Sequence, residues 1–138
     1  MALPSRLFCD TSFFYACLDP ADANHEAARA LVLNAAASGV VFSTTWDIVS
    51  ETATLLRYRK GLRAALAFLD QVKPHLSIVE YGNRVRAEAE QIFRHHDRNR
   101  RLSFCDAISF VVVTTLLDQM PCLAFDADFQ ALGLTVLC

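Results

Sequence analysis

In Arg6-Leu7-Phe8-Cys9-Asp10-Thr11-Ser12 a short apolar run ends on an aspartate followed by two hydroxyl residues. The run predicts a strand over Arg6–Asp10, and Thr11–Leu18 can begin a helix directly after it. Asp10 then stands at the carboxyl tip of the first strand. In an open parallel sheet that is the edge where ligands bind.

Working outward, apolar blocks with two different periods alternate along the chain. Asp22 reads as the N-cap of a helix running to about Ala37 and ended by Gly39. Val40–Ser43 is a second β-rich run, and Thr44 or Thr45 caps a helix through Arg59 that Gly61 stops. Leu62–Val72 predicts another helix before Pro74, Leu76–Glu80 a strand, and Asn83–Asp97 an amphipathic helix. Ser103–Asp118 is a nearly all-apolar helix, which must be buried. Cys122–Phe125 and Thr135–Leu137 are the last strands, separated by a helical turn near Asp128–Leu132. Short strands interleaved with helices predict an α/β fold, three-layer α/β/α, with a central parallel sheet of four to five short strands. No linker-like stretch divides residues 1–138, so a single domain is expected.

At 54% hydrophobic and 20% charged residues the chain can bury a core and is not intrinsically disordered. The longest greasy run, Ala107–Leu117, is too short to cross a bilayer. The N-terminus lacks the pattern of a signal peptide, so a soluble, cytoplasmic protein without a membrane role is expected. Five cysteines with no Cys-x-x-Cys pair argue against a disulfide framework or a zinc ribbon. A formal net charge of −2 gives no global pull on nucleic acid, but local basic runs remain.

Four acids fall where the predicted topology puts one edge of the sheet. Asp10 ends strand one, Asp126 follows Cys122–Phe125, Asp106 lies in the first turn of the apolar helix, and Glu51 lies further along the helix after strand two. Gathered carboxylates raise one another's pKa and cost stability unless a cation neutralises them. Oxygen donors without His or Cys suit Mg²⁺ or Mn²⁺. Such ions stabilise the attacking and leaving oxygens of a phosphoryl displacement. Each acid also has a structural reading. Ser103 and Asp106 resemble a capping box, Asp126-Ala127-Asp128 an Asx turn capping the last short helix, and Glu51 a surface residue.

The motifs Phe8-Cys9-Asp10-Thr11-Ser12, Ser50-Glu51-Thr52, Leu102-Ser103-Phe104-Cys105-Asp106-Ala107 and Ala124-Phe125-Asp126-Ala127-Asp128-Phe129, in this order and over essentially the whole chain, resemble the PIN-domain nucleases, above all the small VapC-type toxins. The resemblance implies RNA cleavage, with Mg²⁺ or Mn²⁺ bound by the catalytic acids Asp10, Glu51, Asp106 and Asp126. Asp128 stands as a fifth ligand. Thr11 or Ser12 would hold Asp10 or a metal water, and Ser103 would support Asp106. Many relatives carry a hydroxyl residue where this chain has Ala124, which leaves Asp126 with less support. The resemblance further implies a small antitoxin as partner and a homodimer, to which Phe13–Leu18 is a candidate contributor.

Two basic runs, Arg94–Arg101 and Arg57-Tyr58-Arg59-Lys60 with Arg63, stand beside two of these acids. Arg57, Arg59, Arg98, Arg100 and Arg101 are candidate RNA-phosphate contacts; solvated helix ends account for the same charges. His95 and His96 are adjacent and diverge on a helix, so they are not assigned to a metal. Trp46, Phe13, Phe14 and Tyr15 read as core or interface. Competing functions are a PIN-type RNA-processing nuclease without an antitoxin, a non-catalytic module and a Mg²⁺-binding phosphoacceptor domain. The last needs a lysine near a late strand, and the only lysines are Lys60 and Lys73.

Overall fold

A computed structural model describes residues 2–96 and 101–138. Four parallel strands, β1 (Arg6–Cys9), β2 (Val41–Thr44), β3 (Ser77–Ile78) and β4 (Cys122–Leu123), form one sheet in the order β3-β2-β1-β4. Leu7, Phe8 and Cys9 are wholly buried because β1 is central and covered on both faces, which is why its sequence shows no polar alternation. The segment after Leu134 adds a bridge between Cys122 and Val136 beside β4, the remnant of the fifth strand expected there.

Helices α1 (Thr11–Leu18) and α2 (His25–Ser38) join β1 to β2; α3 (Trp46–Lys60) and α4 (Leu62–Ala67) lead towards β3. Both crossovers step the same way across the sheet. Helices α5 (Asn83–His95) and α6 (Phe104–Thr115) connect β3 back to β4, in the opposite direction. Right-handed crossovers therefore put α1–α4 on one face and α5–α6 on the other. The packing agrees: α1 touches α2 and α3, α3 touches α4, and α5 touches α6. The last helix, α7 (Asp128–Ala131), follows β4. Phe13, Phe14 and Phe68 fill the α1–α4 side, and Phe8 stacks on Phe129 at 6.3 Å.

Three local expectations change. The cap of α2 is Asn24; Asp22 instead accepts the Asn24 amide at 2.8 Å in an Asx turn one step earlier. The helix expected over Leu62–Val72 is α only to Ala67, then widens into a π turn at Phe68–Val72 and a 3₁₀ turn at Lys73–His75. Pro74 forbids a continuing α-helix, and the widened turn keeps Phe68 buried, 5.4 Å from the Phe14 ring. Phe13, Phe14 and Tyr15 are core, one of the two readings expected for them, while Cys17 and Leu18 at the end of α1 are half-buried. Trp46 is not core: it is 58% exposed.

Candidate active site: a carboxylate edge where strand order reverses

Chain order runs outward from β1 in both directions, to β2 on one side and β4 on the other, so the sheet's switch point lies at the carboxyl end of β1. Asp10 occupies that point. Its backbone N–H donates to the Leu123 carbonyl at 3.0 Å, and its side chain caps α1 by accepting the Ser12 amide at 3.3 Å. The Ser12 hydroxyl donates to the same carboxylate oxygen, Oδ2, at 2.8 Å. Asp10 is only 5% exposed. Burial pushes its carboxyl up to about 7, assisted by the negative charge of Asp106 and opposed by the hydrogen bonds from Ser12 and the Thr11 amide.

The Ser12 hydroxyl does more than hold Asp10. It accepts the Phe125 amide at 2.9 Å and the Asp126 amide at 3.4 Å. One donor and two acceptor positions thereby satisfy three groups and tie the tip of β1 to the segment after β4. The backbone of Asp126 is thus anchored from across the sheet, on the side where Ala124 offers no hydroxyl.

Ser103 and Asp106 form the expected capping box: Ser103 Oγ accepts the Asp106 amide at 3.0 Å, and Asp106 Oδ2 accepts the Ser103 amide at 3.4 Å. The cap and the site are compatible, because Asp106 held in the box still adds its negative charge to the field at Asp10. Burial lifts the Asp106 carboxyl to about 6, with the Ser103 hydrogen bonds opposing and the charges of Asp128 and Glu51 adding to the rise. Asp126 is raised by burial and then by Asp128, Glu51 and Asp22. The expected Asx cap is absent, since α7 is preceded by Ala127 with no side-chain cap. Glu51 is exposed on the second turn of α3.

Asp10, Glu51, Asp106, Asp126 and Asp128 therefore share one electrostatic neighbourhood, and among the described residues none of them is in an ion pair. Among the same residues no three His, Cys, Asp or Glu side chains converge tightly enough to form a ready metal cage. The donor chemistry still fits a hard divalent cation. All five are oxygen donors, the carboxyls of Asp10, Asp106 and Asp126 are raised by burial and like charge, and Mg²⁺ usually takes only one or two protein carboxylates and keeps its waters.

Several supports were not legible in the sequence. Thr11 does not turn its hydroxyl to Asp10; it accepts from the Thr52 hydroxyl at 3.3 Å, both buried, joining α1 to the helix position after Glu51. Thr44 donates to the Cys9 carbonyl at 2.9 Å, and Tyr81 to Asp47 at 2.6 Å. Such pairs lie far apart in the chain, and no local spacing announces them. Of the basic candidates, Arg59 lies 5.3 Å over the Tyr15 ring and its neighbour Lys60 pairs with Asp19 at 3.3 Å, both at the far end of α3 from Trp46. Arg57 and Arg101 are exposed. Arg98 and Arg100 lie outside the described residues.

Comparison with known proteins matches a PIN domain model over residues 7–134. A curated relative from Mycobacterium tuberculosis (strain H37Rv), the 23S rRNA-specific endonuclease VapC20, is 37% identical over 132 residues, covering 92% of this chain and 94% of the relative. The same-named protein of strain CDC 1551 / Oshkosh matches equally. Among solved structures, M. tuberculosis VapC20, described as a sarcin–ricin loop cleaving toxin, superposes with a TM-score of 0.81 at 32% identity, over 94% of this chain and 96% of that one. FitAcB from Neisseria gonorrhoeae superposes with a TM-score of 0.69 at 15% identity, over 96% of both chains, a likeness of fold alone.

Proposed function

This chain belongs to the PIN-domain family, close to its VapC-type members, and from that premise we propose that it is a divalent-metal-dependent endoribonuclease acting as the toxin of a toxin–antitoxin pair. The observation that carries the proposal is Asp10: a buried carboxyl at the switch point, raised to about 7, with four other acids in its neighbourhood and none of the five ion-paired among the described residues. A fold does not keep that arrangement for stability. By likeness to VapC20 the substrate is structured ribosomal RNA, with the 23S sarcin–ricin loop as the first target to test.

Asp10, Asp106, Asp126 and Glu51, with Asp128 beside them, are the residues that would hold Mg²⁺ or Mn²⁺. The ion would supply neutralisation of phosphate charge and an acidified water. The chain's own residues set the stage. Ser12 fixes one oxygen of Asp10 through both its amide and its hydroxyl. The capping box fixes one oxygen of Asp106. The Thr11–Thr52 contact holds the Glu51 turn against α1. Arg57 and Arg101 are available to RNA phosphates flanking the site. A small antitoxin that covers the acidic edge and a homodimer complete the reading.

The deciding experiment incubates purified protein with a synthetic sarcin–ricin stem-loop and with total ribosomal RNA, in Mn²⁺, Mg²⁺ or EDTA. Discrete cleavage that requires metal and disappears in Asp10→Asn is expected. Cleavage that persists in EDTA, or full activity of Asp10→Asn, refutes the proposed site.

A further inference from the structure

Four aromatic side chains stay exposed, and two of them, Trp46 and Phe104, begin the helices that carry Glu51 and Asp106. Trp46 is the first residue of α3, the helix of Glu51, and is 58% exposed; Phe104 is the first residue of α6, the helix of Asp106, and is 40% exposed. Neither ring is loose. The Lys73 ammonium sits 5.6 Å from the centre of the Trp46 ring, and Phe93 meets Phe104 edge-on at 5.4 Å. Both helices start beside the acids: α3 follows directly on the carboxyl end of β2, and α6 carries Asp106 in its first turn.

Resting on the ribonuclease reading above, we propose that Trp46 and Phe104 are stacking platforms for unpaired bases of the RNA strand that crosses the acidic edge. The chemistry favours bases over a second copy of the chain. An interface between copies needs contiguous apolar area, whereas the edge these rings border carries carboxylates, which a dry contact would strand without water. Every base has a π-face to lay on such a ring, and the Lys73 cation beside Trp46 suits the adjoining phosphate. The strand is thereby registered by its bases while its backbone lies over Asp10 and Asp106.

Trp46 is the only tryptophan in the chain, so its emission reports directly on stacking. The test uses the full chain carrying Asp10→Asn, so that RNA stays intact, titrated with a fluorophore-labelled sarcin–ricin stem-loop. Anisotropy gives binding, tryptophan emission gives stacking, and sedimentation gives the oligomer. We expect saturable quenching of Trp46, binding weakened roughly 5- to 100-fold in Trp46→Ala and in Phe104→Ala, and recovery in Trp46→Phe, with sedimentation unchanged. Binding without any change in emission, or alanine variants that bind like their parent, overturns the inference. So does a loss of binding that occurs only because Trp46→Ala changes the oligomer. Chains with Asp10 intact are assayed for cleavage in parallel with Mn²⁺. Cleavage with a silent Trp46 sinks the stacking inference alone, whereas no cleavage of any RNA sinks the ribonuclease reading and the inference with it.

Discussion

Replacing Asp10 by Asn removes one negative charge from a buried position while keeping an oxygen that can still accept from Ser12, so the cap of α1 survives. The carboxyl rises from its ordinary 3.8 to about 7 in the fold. At about 1.4 kcal/mol per unit, a rise of about three units bounds the cost of the charged form at about 4 kcal/mol. Relaxation and water penetration reduce this, and about 1–3 kcal/mol is expected in practice. The sign follows from which state holds the proton. With its pKa raised in the fold, Asp10 contributes stability fully present below about pH 4 and lost as pH climbs through about 7. In EDTA at pH 8, Asp10→Asn should therefore melt several degrees above the wild type, at roughly 3 °C per kcal/mol for a chain of this size. The gap should close as the pH is lowered towards 4. Mn²⁺ should raise the wild-type melting temperature at pH 8 and barely move the variant. Thermal unfolding followed by circular dichroism across pH 4–8.5 tests all three. A variant that melts lower without metal at pH 8, or a gap that ignores pH, would refute the view that burial and like charge strain Asp10.

Ser12→Ala should cost about 1–3 kcal/mol in urea unfolding, because it strips the donor from Asp10 and leaves the Phe125 and Asp126 amides without their acceptor. It should also lower cleavage, and a variant as stable and active as the wild type contradicts that role. Mn²⁺ affinity, measured by calorimetry, should strengthen from pH 6 to pH 8, since protons on Asp10 and Asp106, with carboxyls at about 7 and about 6, compete with the ion below those values. Affinity independent of pH would place the ion elsewhere.

The parts of the fold that could be read from the sequence are those where one local force decides. A central strand buried on both faces shows as an unbroken apolar run, and a Ser-x-x-Asp start shows as a capping box, so β1 and α6 were visible with their acids attached. At Asp22-Ala23-Asn24 two residues competed for one cap, and spacing alone did not choose between an Asx turn and a helix start. The π turn at Phe68 answers to a ring on α1 and to Pro74 together, a tertiary demand that periodicity does not record. Residue type alone reads Trp46 as core or interface, but the first turn of α3 covers it only in part, with Lys73 over one face of the ring. The candidate acids themselves were legible as a set. Their supports, Thr52 and the second and third bonds of Ser12, were not, because each joins residues dozens of positions apart.

The hydroxyl of Ser12 closes a span of 113 residues to Phe125 and 114 to Asp126. Contacts of such separation form late in folding, because the entropy of the intervening chain opposes their closure. Beta4 is only two residues long and leans on β1, Ser12 and the Cys122–Val136 bridge for its place. Fraying of that edge would carry Asp126 and Asp128 away from Asp10 while leaving α1–α6 packed. Hydrolytic capacity would then vanish ahead of helicity on mild heating or in low denaturant. In such a molecule the enzyme is switched off by a local opening far smaller than unfolding, and nuclease activity becomes the more sensitive gauge of whether the sheet is shut.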